Sequence, residues 1–238
     1  MCARFTRAAT VDDMALLFQI MEFPEMEPRY NIAPTQTVAA VRIRPERNQR
    51  EWALLRWGLV PSWAEDLKMG NALINARSET AAEKPAFRSA FRSRRCLIPA
   101  DGFFEWQKQG AKKQPFHIRM KNAKPFAFAG LWESWKKDEE QTIETFTLLT
   151  TSANGVVKPY HDRMPVIVKP EDFEPWLDPS LRDPKIVQPL LKPFADEDMT
   201  AIPVSMWVNN PRNQGPTCIE PVPQISDQIL PKGEEKPG

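Results

Sequence analysis

The second residue of the chain is a cysteine, Cys2, directly after the initiator methionine. Because small second side chains generally permit removal of that methionine, Cys2 would then carry an α-amine and a thiol on neighbouring carbons. The amine has an ordinary pKa of about 8 and the thiol of about 8.5, so each has a minor nucleophilic fraction at neutral pH. An aldehyde could condense with the amine to an imine, and the thiol could close onto the same carbon to form a thiazolidine. The alternative interpretation is a disordered terminal residue, which is the rule for an arbitrary chain.

A carboxylate with unusual surroundings, Glu105, stands in the segment Asp101-Gly-Phe-Phe-Glu-Trp106. In a strand, Glu105 would share a face with Phe103 and lie opposite Phe104 and Trp106. Aromatic surface on both sides would partly desolvate this carboxylate and raise its pKa towards the range that is useful for proton transfer. The alternative is an edge-strand glutamate that faces water.

The chain has two histidines, His117 and His161, and the second lies in the segment His161-Asp-Arg-Met-Pro165 before an apolar strand. Its ordinary pKa of about 6.5 suits it to move protons at an imine. Polar residues that bunch at a strand start are also typical of a turn, so a surface histidine is the other interpretation.

An asparagine interrupts an apolar neighbourhood in Ile74-Asn-Ala-Arg-Ser-Glu-Thr80. Asn75 could be a buried hydrogen-bonding anchor or an amide that orients a substrate. Arg77 lies two residues on, so both side chains would point to the same side of an extended chain.

Arginines are concentrated in residues 88–95, which hold four of them, and Arg4, Arg7, Arg77 and Arg163 lie near the reactive segments. The planar fork of arginine donors suits phosphate groups. A basic helix face is more commonly solvated surface, so the segment 88–95 alone does not decide between the two.

These residues must be positioned by a fold with short elements, because the chain has 24 prolines and nine glycines. Thr10 begins a predicted capped amphipathic helix whose apolar residues are Met14, Leu16, Leu17, Ile20 and Met21. Apolar and alternating runs predict strands over residues 37–43, 51–57, 96–99, 103–107, 116–120, 126–129, 146–151 and 166–168. Shorter helices are predicted from Pro85, with Phe87 and Phe91 on one face, and near residues 170–177 and 184–191.

Composition limits the classes of function. The 238 residues carry 32 Lys and Arg against 31 Asp and Glu, so the net charge of +1 provides no basic field over the whole molecule. The three cysteines are widely spaced and lack a C-x-x-C pair, which argues against disulfides and structural zinc. Without an apolar stretch of membrane length or a signal-peptide pattern, we expect a soluble, intracellular protein with no metal and no cofactor.

Eight segments, in order along nearly the whole chain, resemble the SRAP family, the SOS-response-associated peptidase fold. They are Met1-Cys-Ala-Arg-Phe5, Tyr30-Asn-Ile-Ala-Pro-Thr-Gln36, Trp57-Gly-Leu-Val-Pro-Ser-Trp63, Ile74-Asn-Ala-Arg-Ser-Glu-Thr80, Cys96-Leu-Ile-Pro-Ala-Asp-Gly-Phe-Phe-Glu-Trp106, Phe128-Ala-Gly-Leu-Trp132, Leu149-Thr-Thr-Ser-Ala-Asn154 and His161-Asp-Arg-Met-Pro165. The family usually has glycine where this chain has Ala3, and that exchange matters if the position requires a positive φ.

The resemblance implies a single-domain α+β fold that is sheet-rich, mostly antiparallel and barrel-like, with short flanking helices. The domain is expected to span residues 2–225, and the polar residues 226–238 are expected to form a flexible tail. We expect a monomer, located in the cytoplasm and associated with the nucleoid if the source is bacterial.

The resemblance also implies a function: covalent capture of abasic sites in single-stranded DNA. Cys2, freed of Met1, would form the thiazolidine with the ring-opened aldehyde, and β-elimination at the imine would give lyase activity as a side branch. Asn75 would hold the Cys2 end and the sugar, Glu105 would act as general acid and base, and His161 would assist ring opening. The implied contacts to phosphates or bases are Arg4, Arg77, Trp106, Arg163 and, more weakly, Thr150.

Two other hypotheses come from different classes of function. A thiol peptidase would use Cys2 and His161, and would need a thiolate but no free amine. The peptidase in the family name also fits removal of Met1 or later self-release. A non-catalytic module for single-stranded DNA would bind reversibly and without regard to the aldehyde, although the near-neutral charge does not favour strong binding of undamaged DNA.

Overall fold

The computed structural model of the chain describes residues 2–20, 27–44, 49–110, 112–136, 138 and 141–223. The β-strands in this part of the chain are β1 (Phe5–Arg7), β2 (Arg29–Ile32), β3 (Thr37–Ile43), β4 (Arg50–Trp57), β5 (Asn75–Arg77), β6 (Arg95–Ala100), β7 (Gly102–Gln109), β8 (Lys112–Met120), β9 (Phe126–Lys136), β10 (Thr142–Ser152), β11 (Arg163–Pro165), β12 (Ile167–Val168) and β13 (Met199–Pro203). The expected tail, residues 226–238, lies outside the described residues, so the domain boundary stays a prediction.

The helices between these strands are short. The α-helices are α1 (Val11–Phe18), α2 (Ser78–Ala81), α3 (Arg88–Ser93), α4 (Phe173–Leu177) and α5 (Pro184–Val187). The 3-10 helices are Leu67–Ala72, Pro170–Asp172, Gln188–Leu190, Asp196–Asp198, Met206–Asn209 and Pro216–Cys218. The segments near 170 and 184 thus form helices as predicted, each divided between a 3-10 turn and an α-helical turn.

Five strands close into a barrel. Hydrogen bonds connect them in the order β10-β4-β3-β6-β9, and β9 pairs again with β10. The β4–β10 pair is parallel and the other four pairs are antiparallel. Closure leaves these five strands without a free edge. A second, antiparallel sheet has the order β13-β8-β7-β1-β2. The expected sheet-rich, mostly antiparallel and barrel-like α+β fold is confirmed.

Strand alternation divides the core into two layers. On β6 and β9, Ile98 and Phe128 belong to one buried cluster, which the second sheet completes with Phe5 and Phe103. The residues between them, such as Leu97, belong to another cluster that the helices cover. Since residues i and i+2 share a face, β6 and β9 each pack against the second sheet on one side and against helices on the other.

Helix α1 begins where the sequence predicts and ends earlier. The Thr10 side chain caps it by accepting the Asp13 N–H at 3.1 Å. Gln19 adopts a left-handed conformation with φ 54° and terminates the helix after Phe18, so Ile20 lies beyond it. Leu16 is 79% exposed and does not belong to the buried face, and Met21 lies outside the described residues. Helix α3 begins at Arg88 rather than at Pro85, and Phe87 and Phe91 are both buried as predicted.

Strands β1, β2, β5, β11 and β13 have no counterpart among the predicted strands. They contain three to five residues each. Such short segments offer too few positions for an alternating pattern, and their strand conformation depends on pairing with distant residues. Strand β1 pairs with β2 on one side and with β7 on the other, and its nearest partner in the chain is Arg29 opposite Arg7, so residues distant in the chain decide its conformation.

The exchange at Ala3 does not require a strained backbone. Among the described residues other than glycine, positive φ values occur at Gln19, Thr35 and Ala123. Ala3 is therefore in an ordinary conformation, which the added methyl group does not oppose.

A buried polar cluster anchors β1. The Thr6 hydroxyl donates to Asp101 and lies 3.1 Å from Nε2 of His117. The other Asp101 oxygen accepts the backbone N–H groups of Ala8 and Ala9. Burial and then the charge of Arg119 lower the pKa of His117 to about 3, so the ring is neutral at physiological pH. This cluster fixes the strand that carries the amino terminus.

Gly102 provides a test of this anchor, because a Cβ there would lie within 2.8 Å of three ring atoms of His117. We expect Gly102→Ala to destabilise the protein by about 1–3 kcal/mol through overpacking. In a His117→Ala background the same substitution should cost close to nothing, since the ring is gone. Urea unfolding of the four proteins measures both costs, and equal costs in the two backgrounds would contradict the crowding.

Candidate functional site

A cavity of about 460 Å³ opens beside the start of β1. Its lining comes from the residue before β1, from β7 and β8, from the segment before β11 and from the 3-10 helix Met206–Asn209. The lining residues are Arg4, Glu105, Trp106, Lys113, Tyr160, His161 and Asn209. Two larger surface cavities, of about 850 and 960 Å³, contain none of the predicted catalytic residues. The smaller cavity is therefore the candidate active site.

Cys2 is fully buried at the head of β1. Its carbonyl oxygen accepts a hydrogen bond from Nδ2 of Asn75 at 2.7 Å. Its thiol lies 3.7 Å from the carbonyl oxygen of Arg4. Burial raises the pKa of the Cys2 thiol, and the negative charge of Glu105 raises it further. In the chain with Met1 retained, the thiol is therefore protonated at neutral pH.

Asn75 is the first residue of β5 and binds the amino-terminal segment. Strand β5 pairs with β10 in parallel, with Asn75 opposite Leu148. The amide nitrogen is used on Cys2, whereas the buried amide oxygen has no hydrogen-bond partner among the described residues. That oxygen is available to accept a hydrogen bond from a bound molecule or from an amine on Cys2.

Glu105 is buried, with 6% of its surface exposed, and its Oε1 has no hydrogen-bond partner among the described residues. Burial is the main cause that raises the pKa of Glu105 to about 7, and the positive amino terminus partly opposes it. The predicted desolvation of this carboxyl is confirmed. At neutral pH it divides between its two protonation states, which suits a group that both gives and takes protons.

His161 lies at the cavity with 28% of its side chain exposed. Its Nδ1 accepts the backbone N–H of Arg163 at 2.9 Å and lies 2.8 Å from Oδ1 of Asp162. Burial and the amino-terminal charge lower the pKa of the imidazole, while Asp162 raises it in part. The neutral ring can accept from Arg163 and the protonated ring can donate to Asp162, so Nδ1 has a partner in both states.

Arg163 is fixed by a bidentate ion pair with Glu79 on α2, at 2.7 and 2.8 Å. The same guanidinium donates to the Thr150 carbonyl at 2.5 Å, and its buried Nε has no partner among the described residues. Thr150 itself is fully buried, whereas Arg77 is exposed at the end of β5. Arg77, Thr150 and Arg163 lie on the adjacent strands β5, β10 and β11. Their contacts with DNA stay predictions.

Arg4 and Trp106 line the cavity together with His161. The Arg4 guanidinium donates to Asn31 Oδ1 at 2.6 Å and to the carbonyls of Val208 and Asn209 at 3.0 and 3.3 Å. It lies 6.0 Å from the ring centroid of Trp106, whose Nε1 donates to Asn209 Oδ1 at 2.7 Å. Arg4 thus binds three groups of the protein besides facing the cavity.

Sequence reasoning missed three residues of the lining: Lys113, Tyr160 and Asn209. Tyr160 packs on Phe116 with ring centroids 4.4 Å apart. Because Tyr160 directly precedes His161 in the sequence, it could have been predicted as a site residue. Lys113 and Asn209 have no local pattern that distinguishes them from other surface residues, since pairing of β8 with β7 and β13 brings them to the site.

The arginine-rich segment 88–95 lies apart from this cavity. Arg95 is buried and donates to the carbonyls of Phe91, Arg92, Trp176 and Asp178. Burial lowers its pKa to about 10. Arg88 and Arg92 are exposed and line a different cavity.

A sequence model described as SOS response associated peptidase (SRAP) matches residues 1–211. The chain belongs to the SRAP family. It is 46% identical over 224 residues to the abasic site processing protein YoqW of Bacillus subtilis (strain 168), covering 92% of this chain and 99% of that protein. Identity to the abasic site processing protein YoaM of the same strain is 43% over 224 residues, covering 92% and 98%.

Solved structures agree with the family assignment. A crystal structure of a protein from Bacteroides thetaiotaomicron superposes with a TM-score of 0.82 and 28% sequence identity, over 93% of this chain and 100% of that one. The SRAP fold is thus observed as well as matched in sequence.

The described residues contain no group of three or more His, Cys, Asp or Glu side chains that could hold a metal ion. Within the same part of the chain, no helix is long and apolar enough to cross a bilayer.

The raised pKa of Glu105 has a consequence for stability that Glu105→Gln tests. The folded pKa of about 7 exceeds the ordinary 4.5, so the folded state binds this proton more tightly. The resulting stability is fully present below pH 4.5 and is lost as the pH rises through 7. Relative to Glu105→Gln, the free energy of unfolding of the wild type should fall by roughly 3 kcal/mol across this window.

Urea unfolding at a series of pH values measures this difference. Glu171→Gln, which removes an exposed carboxyl, serves as the control and should follow the wild-type pH profile. Parallel profiles for the wild type and Glu105→Gln would show that this carboxyl titrates normally.

Proposed function

We propose that the protein captures abasic sites in single-stranded DNA by forming a thiazolidine between Cys2 and the ring-opened abasic sugar. The observation that carries the proposal is the convergence on Cys2: Asn75 holds its carbonyl at 2.7 Å, and Glu105 and His161 line the adjoining cavity. The names of the related Bacillus proteins, which describe abasic site processing, support the same substrate.

Removal of Met1 is the first requirement, because it creates the reactive amine. The pKa values of Cys2, Glu105 and His161 all respond to the positive charge of the amino terminus. An amine on Cys2 would therefore be close to both an acid–base carboxyl and an imidazole. Its neutral form, which is the nucleophile, needs a neighbour that accepts its proton, and ionised Glu105 supplies one.

The chemistry balances with the loss of one water. The Cys2 amine adds to the aldehyde carbon, and a proton passes from nitrogen to oxygen to give a carbinolamine. Protonated Glu105 donates to the departing hydroxyl, water leaves and the C=N bond forms as an iminium, whose N–H proton returns to the Glu105 carboxylate to give the imine. The thiol then adds across that bond, with sulfur bonded to carbon and the thiol proton ending on nitrogen.

His161 is placed to assist at the sugar. Opening of the abasic ring transfers the proton of the hemiacetal hydroxyl to the ring oxygen, and an imidazole with a partner in each charge state can move that proton. At the imine stage, abstraction of the proton next to the former aldehyde carbon would eliminate the 3′ phosphate. Lyase activity is therefore part of the proposal as a side branch.

The DNA strand is proposed to follow the cations and aromatic surface around the cavity. Arg77 and Arg163 would contact phosphates on the side of β5 and β11, with Thr150 below them. Arg4 and Trp106 would contact the strand on the other side, by charge and by stacking. The net charge of +1 limits binding of undamaged DNA and leaves affinity to this local surface and to the covalent step.

A thiol peptidase is less favoured by the same site. A thiolate nucleophile needs a lowered pKa, whereas burial and Glu105 raise the pKa of the Cys2 thiol. The peptidase of the family name fits better as release of Met1 or of a finished crosslink. A reversible binding module would not need the buried carboxyl beside Cys2.

Intact mass spectrometry with single-stranded DNA containing one abasic site tests the proposal. We expect the wild type to lack Met1 and to give an adduct of protein plus DNA minus one water. Cys2→Ser should lose the stable adduct, because a hydroxyl closes the ring far less readily than a thiol. Cys218→Ser, at a buried cysteine outside the cavity, should react as the wild type does.

An added alanine between Met1 and Cys2 separates this mechanism from the peptidase. It keeps the thiol but moves the free amine to another residue, so thiazolidine formation should be lost. Unchanged adduct yield in this variant, or an equally stable adduct of Cys2→Ser, would reject the proposal.

A further inference from the structure

The 3-10 helix Met206–Asn209 exposes two large apolar side chains and contributes its last residue to the cavity lining. Met206 is 47% exposed and Trp207 is 51% exposed. Val208, which follows them, is fully buried. Asn209 is the next residue and lines the cavity. Because side chains at i and i+3 eclipse in a 3-10 helix, Met206 would share a face with Asn209.

The backbone of this helix is held rigidly from the protein side. Arg4 donates to the carbonyls of Val208 and Asn209 at 3.0 and 3.3 Å. Asn213 donates to the Trp207 carbonyl at 2.7 Å, and the Ser205 hydroxyl accepts the Trp207 N–H at 3.2 Å. The indole is thus exposed on a fixed frame, which reduces the entropy lost when a ligand packs on it.

Lys113 lines the same cavity as Asn209. The Val204 N–H donates to the Pro115 carbonyl at 3.0 Å, and Gln114 donates to the Val204 carbonyl at 2.8 Å, which joins the start of β8 to the segment before the 3-10 helix. Lys113 is exposed and lies directly opposite Lys108 in the β7–β8 register. Opposed like charges cost stability in a sheet, so this pair does not serve the fold.

We propose that Trp207, Met206 and Lys113 form a subsite for a nucleotide that flanks the abasic site. The base stacks on Trp207 with Met206 beside it, and Lys113 binds the phosphate. This inference rests on the proposed function and extends it to the undamaged part of the strand.

We assign the subsite to single-stranded DNA because it adjoins the cavity that is proposed to hold the abasic nucleotide of the same strand. A cavity of about 460 Å³ accommodates an abasic nucleotide and little more, so the strand must leave over the rim. An aromatic face beside a cation is the combination that binds unpaired nucleotides, and each stacked base contributes about 1–3 kcal/mol by alanine substitution. A protein partner would need a much wider apolar surface than two side chains provide.

The test compares two single-stranded oligonucleotides of equal length. One has a central tetrahydrofuran, an abasic analogue without an aldehyde, between normal nucleotides; the other has tetrahydrofuran at every position and so keeps the phosphates without bases. Binding is measured by anisotropy, apart from any crosslinking. Trp207→Ala should weaken binding of the first about 5- to 100-fold and leave binding of the second unchanged, while Trp207→Phe should stay close to wild type.

Lys113→Ala should weaken binding of both oligonucleotides and reduce the slope of log affinity against log salt by about 0.7, as expected for one phosphate contact on a single strand. Lys108→Ala is the charge-matched control, and Leu54→Ala, at a 64% exposed apolar residue on β4, is the apolar control. Neither control should change binding.

Equal losses on both oligonucleotides for Trp207→Ala, or no loss on either, would overturn the subsite, as would equal effects of Lys113→Ala and Lys108→Ala. These outcomes leave the proposed function intact if the wild type still forms its adduct with abasic DNA. Failure of the wild type to form that adduct would reject the capture mechanism, while the binding comparison still judges the subsite.

Discussion

The site depends on the burial of the first strand. Strand β1 is only Phe5–Arg7, yet it pairs on both edges, with β2 and β7, and Phe5 packs against Trp57 and Phe128 with centroids 5.2 and 5.8 Å apart. Chain termini usually remain in solvent. Here the hydrophobic effect on one aromatic ring and the hydrogen bonds around Thr6 draw the amino terminus into the protein, where Asn75 can hold it.

Burial of the terminus also sets the chemistry. The same desolvation that keeps the Cys2 thiol protonated raises the pKa of Glu105 to about 7. A carboxyl whose Oε1 has no hydrogen-bond partner among the described residues thus interacts electrostatically with the residue it would serve. A buried carboxyl without a full set of partners costs stability. The closed barrel and the two layers of core that pack on its strands provide the rigidity that tolerates this cost.

Local sequence patterns were sufficient to predict most of the strands and part of the candidate site. Alternation of apolar residues predicted β3 over its full extent, and aromatic residues around Glu105 predicted its desolvation. The pairing of β1, β5 and β13 could not be predicted, because three to five residues have no recognisable period and pair with residues far along the chain. The same limit hid Lys113 and Asn209, whose place at the cavity comes from sheet register and from the 3-10 helix.

The sequence by itself determined the reactive groups and the family: a cysteine that can become amino-terminal, one asparagine, one carboxyl and one imidazole in segments that resemble the SRAP pattern. The tertiary structure decided which arginines are engaged within the protein, with Arg95 tied to carbonyls and Arg163 paired to Glu79. It also decided that Cys2 is buried and that Trp207 is exposed. The burial and pairing of a side chain depend on contacts between segments that are distant in the chain, so they cannot be predicted from a local pattern of residues.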